Sequence, residues 1–286
     1  MFALHNTESM KKILMALIVL TYAGKGIAQS DGDPNVDKKF RFGLHLDPTF
    51  SWYAPVDKKK FENAGTRLKF SVGALTDFKL AENIWLSTGL SMSFYGGKLN
   101  YLEGLEDTVG YFIKDDEITP YDQIQGLDTN FYNTHDFIRL DTRTFNVNYL
   151  TIPLLLKMKT KEISYLTYCG QFGLLSHLKL GAAKANDLGD NLSTAASNDF
   201  NVEDLLVIKE PNFLQLQVNV GFGVEYNISG STSLFGSVGF NYGINSAVKG
   251  KSDHLVYRSD NSGTFTRYEE TKAPMHSVVV SLGVLF

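Results

Sequence analysis

Residues 214–226 read Leu214-Gln215-Leu216-Gln217-Val218-Asn219-Val220-Gly221-Phe222-Gly223-Val224-Glu225-Tyr226. Every even position is apolar, and every odd one is Gln, Asn, Gly or Glu. Side chains alternate sides along a β-strand, so this repeat lays the apolar set on one face and the polar set on the other. An α-helix, turning every ~3.6 residues, would scatter both sets around its axis. The segment predicts a strand with two unlike faces.

Seven further segments repeat the pattern. Phe40, Phe42, Leu44 and Leu46 alternate with Arg41, Gly43, His45 and Asp47. Leu68, Phe70, Val72 and Ala74 alternate with Lys69, Ser71 and Gly73, and Leu86, Leu90, Met92 and Phe94 with Ser87, Gly89, Ser91 and Ser93. Leu150, Ile152, Leu154, Leu156 and Met158 oppose Thr151, Pro153, Leu155 and Lys157. Leu166, Tyr168, Phe172 and Leu174 oppose Thr167, Cys169, Gln171 and Gly173, and Leu234, Val238, Phe240 and Tyr242 oppose Ser237, Gly239 and Asn241. The last runs from Val278 to Phe286, with Ser277, Ser281 and Gly283 between its apolar positions.

The connections are short around Ala81–Asn83, Thr160–Glu162 and Ser229–Thr232, and long at 54–66, 96–143, 180–212 and 247–273. Strict alternation of short and long predicts an all-β, eight-stranded antiparallel up-and-down transmembrane barrel over 40–286, with short periplasmic turns, long outer loops and both termini in the periplasm. The strand interiors approach the roughly 9–11 residues that cross a bilayer at a tilt. A soluble, periplasmic ligand-binding β-barrel would alternate too, with its apolar face inward. Two features favour apolar-out. The polar face is rich in Gly and Ser, which suits a narrow lumen, and it carries both charge signs, which pair inside far better than they face lipid. The expected lumen network is Arg41, His45, Asp47, Lys69, Lys157 and Glu225. Pro153 lacks a ladder donor and predicts a bulge or bend in the fourth strand.

The 286 residues include 20 Phe, 14 Tyr and 25 Gly but only 7 Pro, a mixture suited to strands and tight turns. A net charge of -4 argues against a nucleic-acid partner. The mean hydropathy of -0.11 is too polar for a helical membrane protein but fits alternating strands. Lys11 and Lys12, the apolar run Ile13 to Ala23 and the small-residue site Gly26-Ile27-Ala28 read as a signal peptide over 1–28. The run is short of the ~20 residues a spanning helix needs. Met10-Lys11-Lys12 is a conventional opening and a second candidate start. Residues 29–39 would be a short periplasmic segment. The lone Cys169 permits no internal disulfide and no zinc site.

Tyr149-Leu150-Thr151-Ile152-Pro153-Leu154-Leu155-Leu156-Lys157 resembles the "YLxIPLLLK" strand of the PorT-like family of Bacteroidetes outer-membrane barrels. The resemblance extends to the Gly43-Leu44 strand, to Phe222-Gly223-Val224-Glu225-Tyr226 and to the closing aromatic. It implies a membrane barrel and, through the family's named member, an accessory role in type IX secretion. The terminal Phe286 resembles the signal by which outer-membrane barrels are inserted.

Enzymatic chemistry would need a nucleophile and base, as in barrels that modify lipid A. His45 and Asp47, two apart on one strand face, are the best acid/base pair, and a buried polar plug explains them more plainly. His276 falls on the lipid side at the interface; His135 and His254 fall in solvated loops, and His177 is the remaining histidine of the mature chain. No G-x-S-x-G, Walker or H-E-x-x-H pattern occurs. The stretch 103–142 is acidic, with Glu103, Glu106, Asp107, Asp115, Asp116 and Glu117, but lacks a calcium-loop pattern. Its neighbouring aromatics Tyr101, Tyr111, Phe112, Tyr121, Phe131, Tyr132 and Phe137 predict either strands that extend beyond the membrane or a contact surface for a partner. Eight strands leave a lumen that side chains fill, so bulk diffusion is not expected. The reading is a non-enzymatic barrel without cofactor, metal or catalytic residues. Its expected partners are outer-membrane lipids, lipopolysaccharide and a protein at the outer loops or in a secretion complex.

Overall fold

The computed structural model describes residues 39–102, 107–115, 117–124, 131, 134–193, 198–207, 210–249, 251–259, 265–268 and 272–286. The expected signal peptide and the segment up to residue 38 lie outside them. Eight strands form the wall: β1 Phe40–Tyr53, β2 Arg67–Ala81, β3 Ile84–Tyr95, β4 Asp136–Lys159, β5 Leu166–Lys179, β6 Leu214–Ser229, β7 Thr232–Gly243 and β8 Met275–Leu285. Each pairs antiparallel with the next, and β8 pairs back to β1 through nine residue pairs from Gly43–Leu285 to Tyr53–Met275. The sheet closes on itself. At one end the turns are short, as at Gly230, whose φ of 54° lets β6 reverse into β7. At the other end the connections are long.

The barrel is apolar outside and polar inside. Phe222, Leu68, Leu90 and Leu154 are 70%, 65%, 56% and 53% exposed, while Ser51, Ser91, Gln217, Asn219 and Asn241 are buried in the lumen. Leaving large apolar side chains in water forfeits about 1.5–3 kcal/mol each, so a belt of this kind belongs in lipid. This arrangement overturns the soluble alternative.

Within β4 the polarity reverses. Its outward residues are Asn146 and Asn148, then Leu150, Ile152, Leu154, Leu156 and Met158; its inward ones are Phe145, Val147 and Tyr149, then Thr151, Leu155, Lys157 and Lys159. Both faces change character between residues 148 and 151. Above that line the wall continues as a folded cap with an ordinary apolar interior.

The cap is built by the long connections and differs from loops. β4 begins at Asp136, so the second long connection is 96–135 and not 96–143. Strands Asp107–Lys114 and Lys184–Asn191 flank the upper part of β4, and Asn198–Leu206 and Val256–Ser259 extend the sheet on either side. Lys98–Tyr101 continues the register of β3 along β4. Between them Gly97 lies against the Tyr53 ring, where a Cβ would stand 2.5 Å from it. Tyr53, Phe61, Leu99, Tyr111, Phe145, Leu255 and Tyr268 fill the cap's core.

Pro153 makes no bulge. The β3–β4 pairing keeps one register from Thr88–Leu154 to Ser91–Thr151, and β4–β5 is uninterrupted through Pro153–Leu175. The ladder pairs at Gly89 and Leu90 are lost instead, and the Thr88 hydroxyl donates to the Pro153 carbonyl at 2.8 Å. A side chain thus supplies one bond where the ladder is interrupted.

Candidate functional site

Three layers of side chains occupy the barrel axis. At the short-turn end, Arg41 donates to Glu225 at 2.6 Å and to Ser233 at 2.8 Å. Lys159 reaches Glu225 at 2.6 Å and Asp77 at 3.0 Å, and Lys157 reaches Asp77 at 3.1 Å. Lys159 also sits over the Trp85 ring at 4.6 Å. Three cations thus share two carboxylates. Asp77 and Lys159 were not expected in this network, although their parity was readable: Asp77 continues Lys69-Ser71-Gly73 and Lys159 follows Lys157. Lys69, which was expected in it, instead donates to Asn146 at the opposite end of the wall.

The middle layer is hydrogen-bonded. His45 Nδ1 lies 2.8 Å from Asp47 Oδ2 and its Nε2 3.0 Å from Ser91 Oγ. A carboxylate only accepts, so Nδ1 carries a proton toward Asp47, and Nε2 is the atom hydrogen-bonded to Ser91. A second chain fixes His177. Gln217 donates to the Met275 carbonyl at 2.9 Å, its Oε1 accepts from His177 Nε2–H at 3.0 Å, and Nδ1 accepts from Thr151 at 2.7 Å. Ser93 donates in turn to Thr151 at 2.6 Å. Asn219, Asn241 and Ser277 form a third chain. The cavity beside Ser91 and His45 offers water about 90 Å³.

The upper layer is aromatic, with Tyr53, Tyr95 and Tyr149 all buried. Above it Arg143, wholly buried, donates to Asp187 through Nε at 2.8 Å and Nη2 at 2.6 Å and to Glu210 at 2.5 Å. Glu210 accepts from Ser252 at 3.1 Å. Burial alone would depress the Arg143 pKa, but Asp187 and Glu210 outweigh it and hold it well above the ordinary value. Burial, with Asp187 beside it, pushes the Tyr111 phenol up. This ion cluster joins β4 to the third and fourth long connections.

The expected aromatic contact surface is not formed by most of its members. Tyr101, Tyr111, Phe112 and Phe137 are 5% exposed or less, because they face the cap's interior. Tyr121 and Phe131 are half-buried against Phe112 and Phe137, and Tyr132 lies outside the described residues. His135, expected in solvent, stacks on Phe131 at 3.9 Å. His276 sits at the belt edge, stacked on Tyr242 at 4.6 Å and beside Trp52. Phe286 is 46% exposed and donates to the Phe42 carbonyl. Among the described residues no group of three His, Cys, Asp or Glu could hold a metal.

The Ser91–His45–Asp47 connectivity is that of a nucleophile, a base and its orienting acid. Ser91 lies between the aromatic layer and the ion cluster of the short-turn end, beside space sufficient for a few waters.

The model of the outer membrane protein beta-barrel domain matches residues 27–249. No curated protein matches the sequence. Among solved structures, a major outer membrane protein of Thermus thermophilus is similar at 12% identity over 87% of this chain and 99% of that one, with a TM-score of 0.37. OprG of Pseudomonas aeruginosa gives 8% identity, 85% and 94% coverage and 0.36. The outer membrane protease OmpT of Escherichia coli gives 9%, 88% and 97%, and 0.35. None of these likenesses bears on activity.

Proposed function

Because this chain belongs to the outer membrane protein beta-barrel domain family, we propose that it acts in the bacterial outer membrane as a non-enzymatic accessory or interaction protein. Its working part is the cap. The observation that carries this reading is a filled lumen beneath a folded cap: with the axis occupied by an ion cluster, a hydrogen-bonded layer and an aromatic layer, the surface offered to other molecules is the cap's exterior. The cap faces outward, the short turns and both termini face the periplasm, and Phe286 serves as the insertion signal. The Tyr149–Lys157 segment supports a place among PorT-like barrels and hence an accessory role in type IX secretion.

A hydrolytic reading rests on Ser91, His45 and Asp47. We read these as lumen packing, since a lipid has no route to Ser91 through a belt that faces away from it.

The test is crosslinking in intact cells from reactive groups placed at Asn186 and Asn201 on the cap, against Glu82 and Lys161 at the short turns. The reading expects one protein enriched from the cap positions. Recovery of the same background from both ends would overturn it. Unchanged cargo export in a deletion strain would remove the secretion role alone.

A further inference from the structure

The cap's sheet ends in two unequal edges. From β4 it runs one way through Asp107–Lys114 and Val256–Ser259 to Phe265–Arg267, three residues long, and the other way through Lys184–Asn191 to Asn198–Leu206, nine residues long. Exposed edges are ordinarily kept short, because each leaves a row of backbone N–H and C=O groups open to another chain. Among the described residues no strand pairs with the outer side of Asn198–Leu206. Its ladder with Lys184–Asn191 is regular from Asn191–Asn198 to Asp187–Val202. Beyond it Glu203 and Asp204 together oppose Asn186, Asp204 has a φ of 60°, and its N–H donates to Asn186 Oδ1 at 3.2 Å. This bulge ends the regular edge at Val202.

The side chains along this edge set the chemistry of what would extend it. Phe200 and Val202 pack against the cap's core, while Asp199, Asn201 and Glu203 are exposed on the other face. Asp199 lies directly opposite Asp190, and like charges so placed are destabilising. Arg139 bonds Asp190, and Lys184 pairs with Asp204 at 3.1 Å. Among the described residues Asp199 and Glu203 have no cation. The strand contains no Lys or Arg, so a second copy laid against it would add repulsion. Pairing two copies about Asn201, for instance, sets Asp199 against Glu203. A strand with basic side chains facing these two carboxylates would instead cover the open edge and balance its charge together.

We propose that the edge from Asn198 to Glu203 takes up an extended segment of a partner protein whose alternate residues are basic. The segment's main chain adds a strand to the cap's sheet, which supplies affinity, and its basic side chains meet Asp199 and Glu203, which supplies selectivity. The inference rests on the reading of the cap as the working surface, and it states where on the cap the partner lies and what that partner carries.

The experiment is fluorescence anisotropy of short labelled peptides on the folded full-length protein in non-ionic micelles at low salt. A peptide of alternating lysine and valine should bind. The same peptide methylated at every backbone nitrogen keeps its charge but has no N–H to give the edge, and should bind about tenfold or more weakly. Asp199→Lys/Glu203→Lys should weaken the lysine peptide about tenfold, gain binding of a peptide of alternating glutamate and valine, and keep its heat-modifiable migration. Glu82→Lys, at the short turns, should bind as the parent does. Equal binding of the methylated peptide, or an unchanged double variant, would overturn the site. So would a parent that sediments as a dimer and excludes the peptide, which would give the edge to a second copy. The two lysine peptides compared on the parent decide the matter even if the double variant does not fold. Partner crosslinks from Asn186 that persist while the edge fails would keep the cap as the working surface and put its partner elsewhere on it.

Discussion

Arg143 holds Asp187 by two parallel hydrogen bonds, from Nε at 2.8 Å and Nη2 at 2.6 Å, with neither side chain exposed at all. Such a fork–fork pair fixes direction as well as distance. It ties β4 to strand Lys184–Asn191, and through Glu210 to the segment around Ser252, so the cap depends on it more than the barrel does. Arg143→Ala leaves two buried carboxylates uncompensated, a loss of about 3–5 kcal/mol. Limited proteolysis should show the cap becoming susceptible while the barrel still migrates as a folded, heat-modifiable band. A cap as resistant as the parent's would contradict the role given to this pair.

The ion cluster at the short-turn end makes an unequal prediction from its charge count. Lys157→Met leaves Arg41 and Lys159 balanced by Asp77 and Glu225, and the cost to stability should be slight. Asp77→Asn leaves three cations around one carboxylate and should cost on the order of 3 kcal/mol. Urea unfolding in vesicles of one lipid composition measures both, and equal losses would show the cluster is not read correctly.

Ser91→Ala removes one hydrogen bond to His45 and should lower stability by about 0.5–1.5 kcal/mol. If this chain of bonds is packing, a fluorophosphonate probe should not label the folded parent protein. Labelling that disappears in both Ser91→Ala and His45→Ala would instead establish a reactive serine.

Charge placed on the outward face of β4 should report depth. Leu154→Arg, at the middle of the Leu150–Met158 belt, should cost about 2–4 kcal/mol, whereas Asn148→Arg at the rim should cost about 1 kcal/mol or less. Refolding yield and urea midpoints in vesicles would reveal the difference; similar values at both positions would place the lipid boundary elsewhere.

The barrel was legible because period-2 alternation survives burial on either side, as Leu214–Tyr226 shows in full. The face that meets lipid was legible only from indirect signs, yet β4 carries the answer: its outward residues pass from Asn146 and Asn148 to Leu150, and its inward ones from Tyr149 to Thr151. That reversal is invisible when 96–143 is taken for loop and the strand's alternation is read only from Leu150 onward. The same error made Tyr111 and Phe112 look like surface, since aromatics in a supposed loop have no core to enter. Arg143 offered no signal, because its partners Asp187 and Glu210 lie 44 and 67 residues away in other connections. Asp77 and Lys159 were missed for a simpler reason: their strands run a few residues further than the apolar pattern that defined them.

The polarity reversal in β4 is the most direct test of the whole account. Cys169→Ser removes the protein's one cysteine, after which single cysteines at 146, 148, 150, 152 and 154 can carry spin labels in the folded, bilayer-reconstituted protein. Collisions with oxygen, which concentrates in lipid, and with a polar nickel complex, which stays in water, report each label's surroundings. The account predicts nickel access at 146 and 148 and oxygen access from 150 onward, rising toward 154. Nickel access at every position, or low access to both reagents as in a protein interior, would contradict it.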